Sequence, residues 1–335
     1  MIDTLAEGVL AGETRAVARA ITMVERGGED ASLLVERLRS SGRAGHLIGV
    51  TGSPGAGKSS LIGQLAKEFR GRGKQVGVIA VDPSSPFSGG AVLGDRVRMQ
   101  ELACDPGVFV RSMASRGHPG GLAAAVDDAA AILKAAGKEI ILVETVGVGQ
   151  GELDVASAVQ TVIVVATPGM GDEIQSLKAG ILEVADIYVV NKADLPGADA
   201  VARSLQVVAH QTKGEWRRPV IQTSAATNAG IADLAEAVEK HGDYLSNRRI
   251  VGDEEIQRTC KTILTLAGRQ MLDELEAAVK PERLALLAED VVAGTLEPRE
   301  AAREAIRLLF AAHRAAPRLQ KLEIATSAKR DCRVN

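Results

Sequence analysis

The feature that most constrains this chain is a glycine-rich segment between an apolar run and an apolar helical pattern. Residues 47–51 predict a short buried strand, residues 52–59 read GSPGAGKS, and a helical pattern follows from Leu61. The segment fits GxxxxGK[ST] at every position, a pattern whose backbone N–H groups surround phosphates at a helix N-terminus. The sequence therefore predicts a nucleotide-phosphate site formed by Gly52, Ser53, Pro54, Gly55, Ala56, Gly57, Lys58, Ser59 and Ser60.

The residue types in this loop suit a triphosphate and its metal ion. Glycine lets the backbone turn its N–H groups inward and approach phosphate oxygens closely. Lys58 is expected to bridge the β- and γ-phosphates and to act in catalysis. The hydroxyl of Ser59 is expected to ligate Mg²⁺.

The rest of the central region predicts an α/β fold with a doubly wound, mostly parallel sheet, as in P-loop NTPases. Several strand-like runs are continuously apolar, as strands buried on both faces of a parallel sheet are, and they alternate with helical segments. The predicted strands cover residues 47–50, 76–81, 108–111, 139–143, 162–166, 186–190 and 219–222. We expect three parts: a helical extension (1–45), the P-loop domain (46–247) and a C-terminal helical arm (248–335).

Both flanks show helical spacing of apolar residues. Residues 1–45 predict three helices, separated by glycines, that cover the next domain. After residue 247, the segments 256–279 and 299–313 predict amphipathic helices, with prolines as breakers. Apolar positions such as Leu284, Leu286 and Leu287 suit contact with a second subunit, although packing within one chain explains the same pattern.

Composition excludes several classes of protein. The 335 residues carry a net charge of −3 and only 2% aromatic residues, which argues against nucleic-acid binding. The three cysteines form no CxxC pair, so we expect no zinc site and a reducing compartment. No apolar run approaches the roughly 20 residues of a membrane span, and the N-terminus lacks the features of a signal or transit peptide. We expect a cytoplasmic location.

Two later segments predict recognition of guanine. The strand at 186–190 ends in Asn191, Lys192, Ala193 and Asp194, the NKxD arrangement of GTP-binding proteins. A carboxylate at Asp194 can accept bonds from the ring N–H and the exocyclic amine of guanine, whereas adenine would leave the carboxylate unpaired. The closing element follows the next strand, where Ser224 and Ala225 would present a backbone N–H to the guanine carbonyl.

Carboxylates near the strand ends predict a Mg²⁺ site. The strand at 139–143 leads into Glu144 and, three residues on, Gly147, where most GTPases carry DxxG. The longer Glu144 suits a metal-bound water, and we give it a catalytic role. Mg²⁺ prefers oxygen ligands with one or two carboxylates and several waters. The predicted metal set is Ser59, Asp82, Asp95 and Glu144.

The sequence indicates less clearly which residue positions the attacking water. Val148 stands where a Ras-type enzyme places its water-orienting glutamine, and Gln150 lies two positions further on. Candidate arginine fingers are Arg98, Arg111 and Arg116, although each is better explained as an ordinary structural or surface arginine. We therefore expect slow intrinsic GTP hydrolysis that a partner accelerates.

Together these motifs resemble the MeaB/ArgK-type GTPases, the chaperones of adenosylcobalamin-dependent acyl-CoA mutases. The resemblance rests on GSPGAGKSS at 52–60, VDPSSPFSGGAVLGDRVRM at 81–99, RGHPGG at 116–121, ETVGVGQGE at 144–152, TPGMGDEIQSLKAGILEVADIYVVNKAD at 167–194 and TSA at 223–225. It implies GTP and GDP binding with Mg²⁺, a homodimer built by the C-terminal arm, and a mutase partner of the methylmalonyl-CoA mutase type that stimulates hydrolysis. It further implies control of cobalamin loading and reactivation, with switch regions at 82–98, 144–152 and 169–178.

Three alternatives stay open at this point. A metal-insertion GTPase normally carries Cys/His motifs, which this chain lacks, and His118 better suits a role in anchoring its loop. A small-metabolite kinase could use the same phosphate loop. A structural dimer that never turns its nucleotide over is disfavoured by the intact Lys58, Ser59 and Glu144.

Overall fold

The computed structural model describes residues 2–83, 102, 104–115, 121–145, 155–156, 158–169, 179–211, 215–247, 260, 263–264, 267–268, 271–272 and 274–315. The chain divides into two compact units, Met1–Ile263 and Leu264–Asn335. Within the described ranges, no helix is long and apolar enough to cross a membrane. The same ranges contain no cluster of three or more His, Cys, Asp or Glu side chains arranged to hold a metal ion.

The first unit is built on a parallel sheet, which confirms the predicted fold class. Seven described strands lie in the order β3-β2-β4-β1-β5-β6-β7, and all pairs are parallel. The bounds are β1 His46–Gly52, β2 Val76–Pro83, β3 Val108–Ser115, β4 Ile140–Thr145, β5 Thr161–Ala166, β6 Ile187–Val190 and β7 Val220–Gln222. Each predicted strand is present, and each of its ends lies within four residues of the predicted position.

Helices connect these strands and flank them at both ends of the chain. In the first unit they are α1 Ile2–Leu10, α2 Thr14–Arg26, α3 Glu29–Arg39, α4 Lys58–Gly71, α5 Gly121–Ala135, α6 Ala179–Val184, α7 Ala198–Gln211 and α8 Ile231–Asn247. Those of the second unit are α9 Pro281–Val292 and α10 Pro298–Ala315. Pro281, read from the sequence as a breaker, occupies the first turn of α9. Proline is tolerated there because the first N–H of a helix has no partner within the helix.

The sheet separates two apolar cores, as its strand alternation requires. In β4, Ile141 and Val143 face one core, while Ile140 and Leu142 face the other. The first core also holds buried residues of α1, α2, α3, α5 and α7. The second holds those of α4 and α8. Strands that are buried on both faces explain why their sequences are continuously apolar.

The N-terminal helices form the expected cover over one face of the sheet. Buried residues at helical spacing, such as Val17 and Ile21 on α2, join the same core as α5. On β3, an arginine fixes α2 to the strand: Arg111 Nη2 donates to Thr22 Oγ1 at 3.0 Å and to Glu25 Oε2 at 2.8 Å. This predicted arginine-finger candidate is thus engaged in a structural ion pair.

A polar network closes the amino ends of β1, β5 and β6. The hydroxyl of Thr161 lies 2.6 Å from His46 Nε2 and 2.7 Å from Nδ1 of the buried His241. Since a hydroxyl has one proton, at least one of these rings must donate to it. Asp186 accepts a bond from the N–H of Val162 at 2.8 Å, and its other carboxylate oxygen lies 3.7 Å from His241 Nε2. The strand β6 begins at Ile187, one residue later than predicted, so Asp186 precedes it.

Burial governs the charge of this network. Burial, and to a smaller extent the nearby positive charge of Lys134, lower the pKa of the His46 imidazole to about 4, although the charge of Asp243 opposes this. His46 is therefore neutral at physiological pH. The network also meets the aromatic ring of Trp216, whose centroid lies 4.7 Å from that of His241.

The second unit contains the packed pair α9 and α10. Leu287 on α9 and Leu309 on α10 are buried, whereas Leu284, Leu286, Ile306 and Phe310 are exposed. Of the three leucines singled out from the sequence, two therefore face solvent in the single chain. Their contact with a second subunit stays a prediction.

Candidate nucleotide site

The predicted phosphate loop lies at the carboxyl ends of the central strands, between β1 and α4. Two positions of the loop require glycine because other parts of the chain approach the backbone closely there. A Cβ on Gly52 would lie 2.1 Å from the carbonyl oxygen of Val165, and the φ of this glycine is 139°. A Cβ on Gly57 would lie 2.7 Å from Asn191 Nδ2, at a φ of 82°. Other residues would clash at these positions and would be strained in this conformation.

The ammonium of Lys58 lies within this loop. Lys58 is the first residue of α4 and only 6% exposed. Its Nζ donates to the carbonyl oxygens of Gly52 at 2.7 Å and of Ser53 at 3.2 Å. The loop thus curls around a cation at the positive end of a helix, which is where phosphate oxygens are favoured.

The next residue of α4 meets the end of β4. Ser59 Oγ donates to Glu144 Oε1 at 2.6 Å. Glu144 is 3% exposed, and in the sheet it pairs with Val50 of β1. A hydroxyl and a carboxylate that meet at the phosphate loop are oxygen donors of the kind Mg²⁺ prefers.

The remaining predicted metal ligands are only partly described. Asp82 follows Ala80, the partner of Glu144 on β2, by two residues, so its backbone lies at the same edge of the sheet. Asp95 and Gly147 lie outside the described residues, as do Val148, Gln150, Arg98 and Arg116. Most of the three implied switch regions also falls outside them. Ser60, the last residue of the predicted loop, is exposed on α4.

Asn191 joins the phosphate loop to the predicted base-recognition loops. It follows β6 and is 1% exposed. Its Nδ2 donates to the carbonyl of Ala56 at 2.8 Å. Its Oδ1 accepts from Thr223 Oγ1 and from the N–H of Ala225, both at 3.3 Å. A single buried amide thereby holds three separate segments of the chain together.

Lys192 and Asp194 take different positions in the same loop. Lys192 has a positive φ of 57°, and its Nζ donates to the carbonyl of Gly55 at 2.8 Å. Its stem therefore crosses the mouth of the phosphate loop. Asp194 is exposed and bonds to no described residue, so its carboxylate can accept donors from a ligand.

The closing element is a compact turn after β7. The N–H of Ser224 donates to the carbonyl of Ala229 at 3.0 Å, and its hydroxyl accepts from the N–H of Thr227 at 3.3 Å. Gln64 of α4 also reaches this turn, because its Nε2 donates to the carbonyl of Ala225 at 3.2 Å. Sequence reasoning missed Gln64, since a lone helical glutamine separated by 161 residues from its partner leaves no local signal.

This geometry agrees with a family match that covers most of the chain. Residues 17–280 match the model of the family described as methylmalonyl-CoA mutase-associated GTPase MeaB. The chain belongs to the MeaB family. The match begins within α2 and includes the phosphate loop, Glu144 and the NKAD segment.

Named relatives support the MeaB assignment. A putative GTPase of Pyrococcus abyssi is 42% identical over 307 residues, which cover 90% of this chain and 95% of the relative. The mitochondrial methylmalonic aciduria type A homolog of Mus musculus is 32% identical over 326 residues, covering 90% of this chain and 78% of the relative. GTPase activity is therefore assigned to this MeaB-family chain.

A solved structure agrees with the fold. The crystal structure of an LAO/AO transport system kinase superposes with a TM-score of 0.65 at 26% identity, covering 92% of this chain and 97% of the other. The parallel sheet with its phosphate loop is thus the MeaB-family architecture and that of a P-loop NTPase.

Proposed function

We propose that this chain is a GTP-binding and GTP-hydrolysing chaperone of an adenosylcobalamin-dependent acyl-CoA mutase of the methylmalonyl-CoA mutase type. It would gate cofactor loading and support protection or reactivation of the mutase. The observation that carries the proposal is the match to a mutase-associated GTPase family over residues 17–280, which includes helices outside the nucleotide site. The likeness to the methylmalonic aciduria type A homolog supports the same partner class.

The proposed nucleotide contacts follow from the chemistry of the loops. A phosphate oxygen would attract the ammonium of Lys58 more strongly than the neutral carbonyls of Gly52 and Ser53 do, because a charge-assisted bond is stronger. The stem of Lys192 would cover one face of the base. Asp194 would accept from the guanine N–H and amine. The N–H of Ala225 would exchange its bond to Asn191 Oδ1 for one to the guanine carbonyl.

The donor set also fits Mg²⁺. Ser59 and Glu144 already bring two oxygens within 2.6 Å of each other beside the phosphate loop, and Asp82 and Asp95 would complete the set. When bound, the ion would neutralise charge on the phosphate oxygens. Glu144 would orient water at the end of β4, which accords with its near-complete burial.

The proposed turnover is slow in isolation and stimulated by the partner. Arg111 is engaged by Thr22 and Glu25, so among the described residues this finger candidate is committed elsewhere. A stimulating arginine or water-positioning group would then come from another part of this chain or from the partner itself. We also propose a homodimer through the second unit, supported by the exposed Leu284, Leu286 and Phe310.

The deciding experiment measures GTP hydrolysis by the purified chain, alone and with candidate B12-dependent acyl-CoA mutases, with ATP in parallel. We expect one mutase to stimulate GTP hydrolysis strongly, with no stimulation for ATP and none in Lys58→Ala. Efficient turnover in isolation, with no response to any mutase, would contradict the chaperone proposal. Transfer of phosphate to a small metabolite would favour a kinase instead.

A further inference from the structure

Gln64 links the helix of the phosphate loop to the turn that is proposed to read guanine. It lies on α4, six residues after Lys58, and is partly buried. Its Nε2 donates to the carbonyl oxygen of Ala225 at 3.2 Å. The side-chain amide of glutamine donates through its nitrogen and accepts through its oxygen. Because the partner here is a carbonyl oxygen, the nitrogen must face Ala225.

The turn is held from its other side by separate bonds. Asn191 Oδ1 accepts from the N–H of Ala225, and the backbone of Ser224 bonds to Ala229. These contacts fix the amide side of Ala225. Among the described residues, Gln64 is the side chain that fixes its carbonyl side.

We propose that Gln64 is a positioning residue that sets selectivity for the carbonyl oxygen of guanine. The inference rests on the proposed function, in which the N–H of Ala225 donates to that oxygen. In this structure that N–H donates to Asn191 Oδ1 at 3.3 Å, so it would exchange this partner for guanine on binding. The bond from Gln64 to the carbonyl of Ala225 restricts rotation of the residue, so only a small reorientation of the N–H would be needed. Such preorganisation improves binding because less ordering remains to be done on association.

The position of Gln64 also ties base recognition to phosphate binding. The helix that carries it begins at Lys58, and α8, which follows the turn, packs on the same helix within one apolar core. The turn and the phosphate loop therefore share a rigid support. Through Gln64, the distance between base site and phosphate site is set by a side-chain bond as well as by packing.

The test uses affinities for three diphosphates measured by competition. GDP is compared with its 6-thio analogue, in which sulfur replaces the guanine carbonyl oxygen, and with inosine diphosphate, which lacks the exocyclic amine. In Gln64→Met, a variant of similar length without a donor, we expect the preference for GDP over the 6-thio analogue to fall about three- to tenfold, the worth of one neutral hydrogen bond. The preference for GDP over inosine diphosphate should stay, because Asp194 reads the amine.

Two further variants of Gln64 test the donor itself. Gln64→Glu keeps the shape but directs a carboxylate oxygen at the carbonyl of Ala225, so the preference should fall further. Gln64→Lys restores a donor and should recover much of it. As a matched control, Gln206→Met changes an exposed glutamine on α7 and should leave all three affinities as they are.

The outcomes separate this proposal from the function on which it rests. If Asp194→Asn abolishes the preference for GDP over inosine diphosphate while Gln64→Met leaves the 6-thio preference unchanged, the base site stands and the role of Gln64 is refuted. If Asp194→Asn changes no preference, the proposed guanine site fails and the role of Gln64 fails with it. Equal weakening of all three nucleotides in Gln64→Met would also refute selectivity, because a general structural role gives that result.

Discussion

The two ends of the same central strands carry opposite kinds of polar structure. At the carboxyl ends, side chains such as Lys58 and Lys192 bond to backbone carbonyls of loops, which a ligand can replace. At the amino ends, His46 and His241 both bond to the hydroxyl of the buried Thr161. Both ends are polar and largely buried, yet only the first has partners that an incoming nucleotide could displace.

This difference separates function from stability along one set of strands. Parallel α/β sheets bind ligands outside the carboxyl ends of their strands, where the loops and helix N-termini lie. The amino ends are free of that task, so their polar groups can be satisfied permanently. Variants at one end should therefore change catalysis with little loss of stability, and variants at the other should do the reverse.

The largest expected effect is the loss of catalysis in Lys58→Ala. Removing a buried cation from the phosphate loop should lower kcat/KM for GTP by about a hundredfold or more, comparable to the loss of a preorganised transition-state donor. Steady-state phosphate release measures it, with Lys240→Ala, on the exposed face of α8, as the matched control. If the free energy of unfolding also fell substantially in Lys58→Ala, the proposed separation of function from stability would be wrong.

At the opposite edge, Thr161→Val should destabilise the fold while sparing turnover. Valine keeps the shape but removes the hydroxyl that serves both His46 and His241, leaving buried ring nitrogens without that bond. We expect the free energy of unfolding to fall by about 3 kcal/mol. Urea denaturation gives this value, and phosphate release from the same preparation should match the wild type below the transition. Unchanged stability would show that the network contributes nothing.

Acid should weaken the same network through His46. Its pKa is about 4 in the folded chain, lowered from 6.5 chiefly by burial. Between these values the unfolded chain binds more protons, so stability decreases as the pH falls and recovers as it rises. From about pH 7 to pH 5 the loss attributable to His46 should be about 2 kcal/mol. Urea titrations at each pH test this, and His46→Gln, which retains a group near Thr161, should flatten the dependence.

The smallest effect is expected for Arg111→Lys. The substitution keeps the positive charge but loses the planar geometry that lets one guanidinium serve Thr22 and Glu25. We expect a loss of about 1 kcal/mol in the free energy of unfolding. Mutase-stimulated GTP hydrolysis should not change. A large fall in stimulated hydrolysis, with stability intact, would instead assign Arg111 to catalysis.

The sequence predicted the framework well because its signals are local. Short strand-like runs, several of them continuously apolar, identified all seven described strands, and the strand–loop–helix context located Lys58 and Ser59. Strand ends were less certain. The strand β6, for instance, begins at Ile187 rather than at Asp186, whose carboxylate accepts from the N–H of Val162 on the neighbouring strand.

The features that the sequence did not predict depend on contacts between residues that are far apart in the chain. Thr161 lies 115 residues from His46 and 80 from His241, and nothing around any of them indicates the network. Gln64 was missed for the same reason. Arg111, conversely, was a candidate arginine finger on its chemistry alone. Its position beside α2 gives it a structural role instead.

The aromatic ring beside the amino-end network gives the molecule a built-in optical probe. Trp216 is the sole tryptophan of the chain, and it lies against His241 and Tyr244. Its indole N–H donates to the carbonyl of Asp186 at 2.9 Å, so its emission reports on the end of the strands remote from the phosphate loop. Intrinsic fluorescence should therefore follow unfolding at this end of the sheet. A change in emission when GTP is added would show that nucleotide binding alters the surroundings of Trp216 at the opposite ends of the strands.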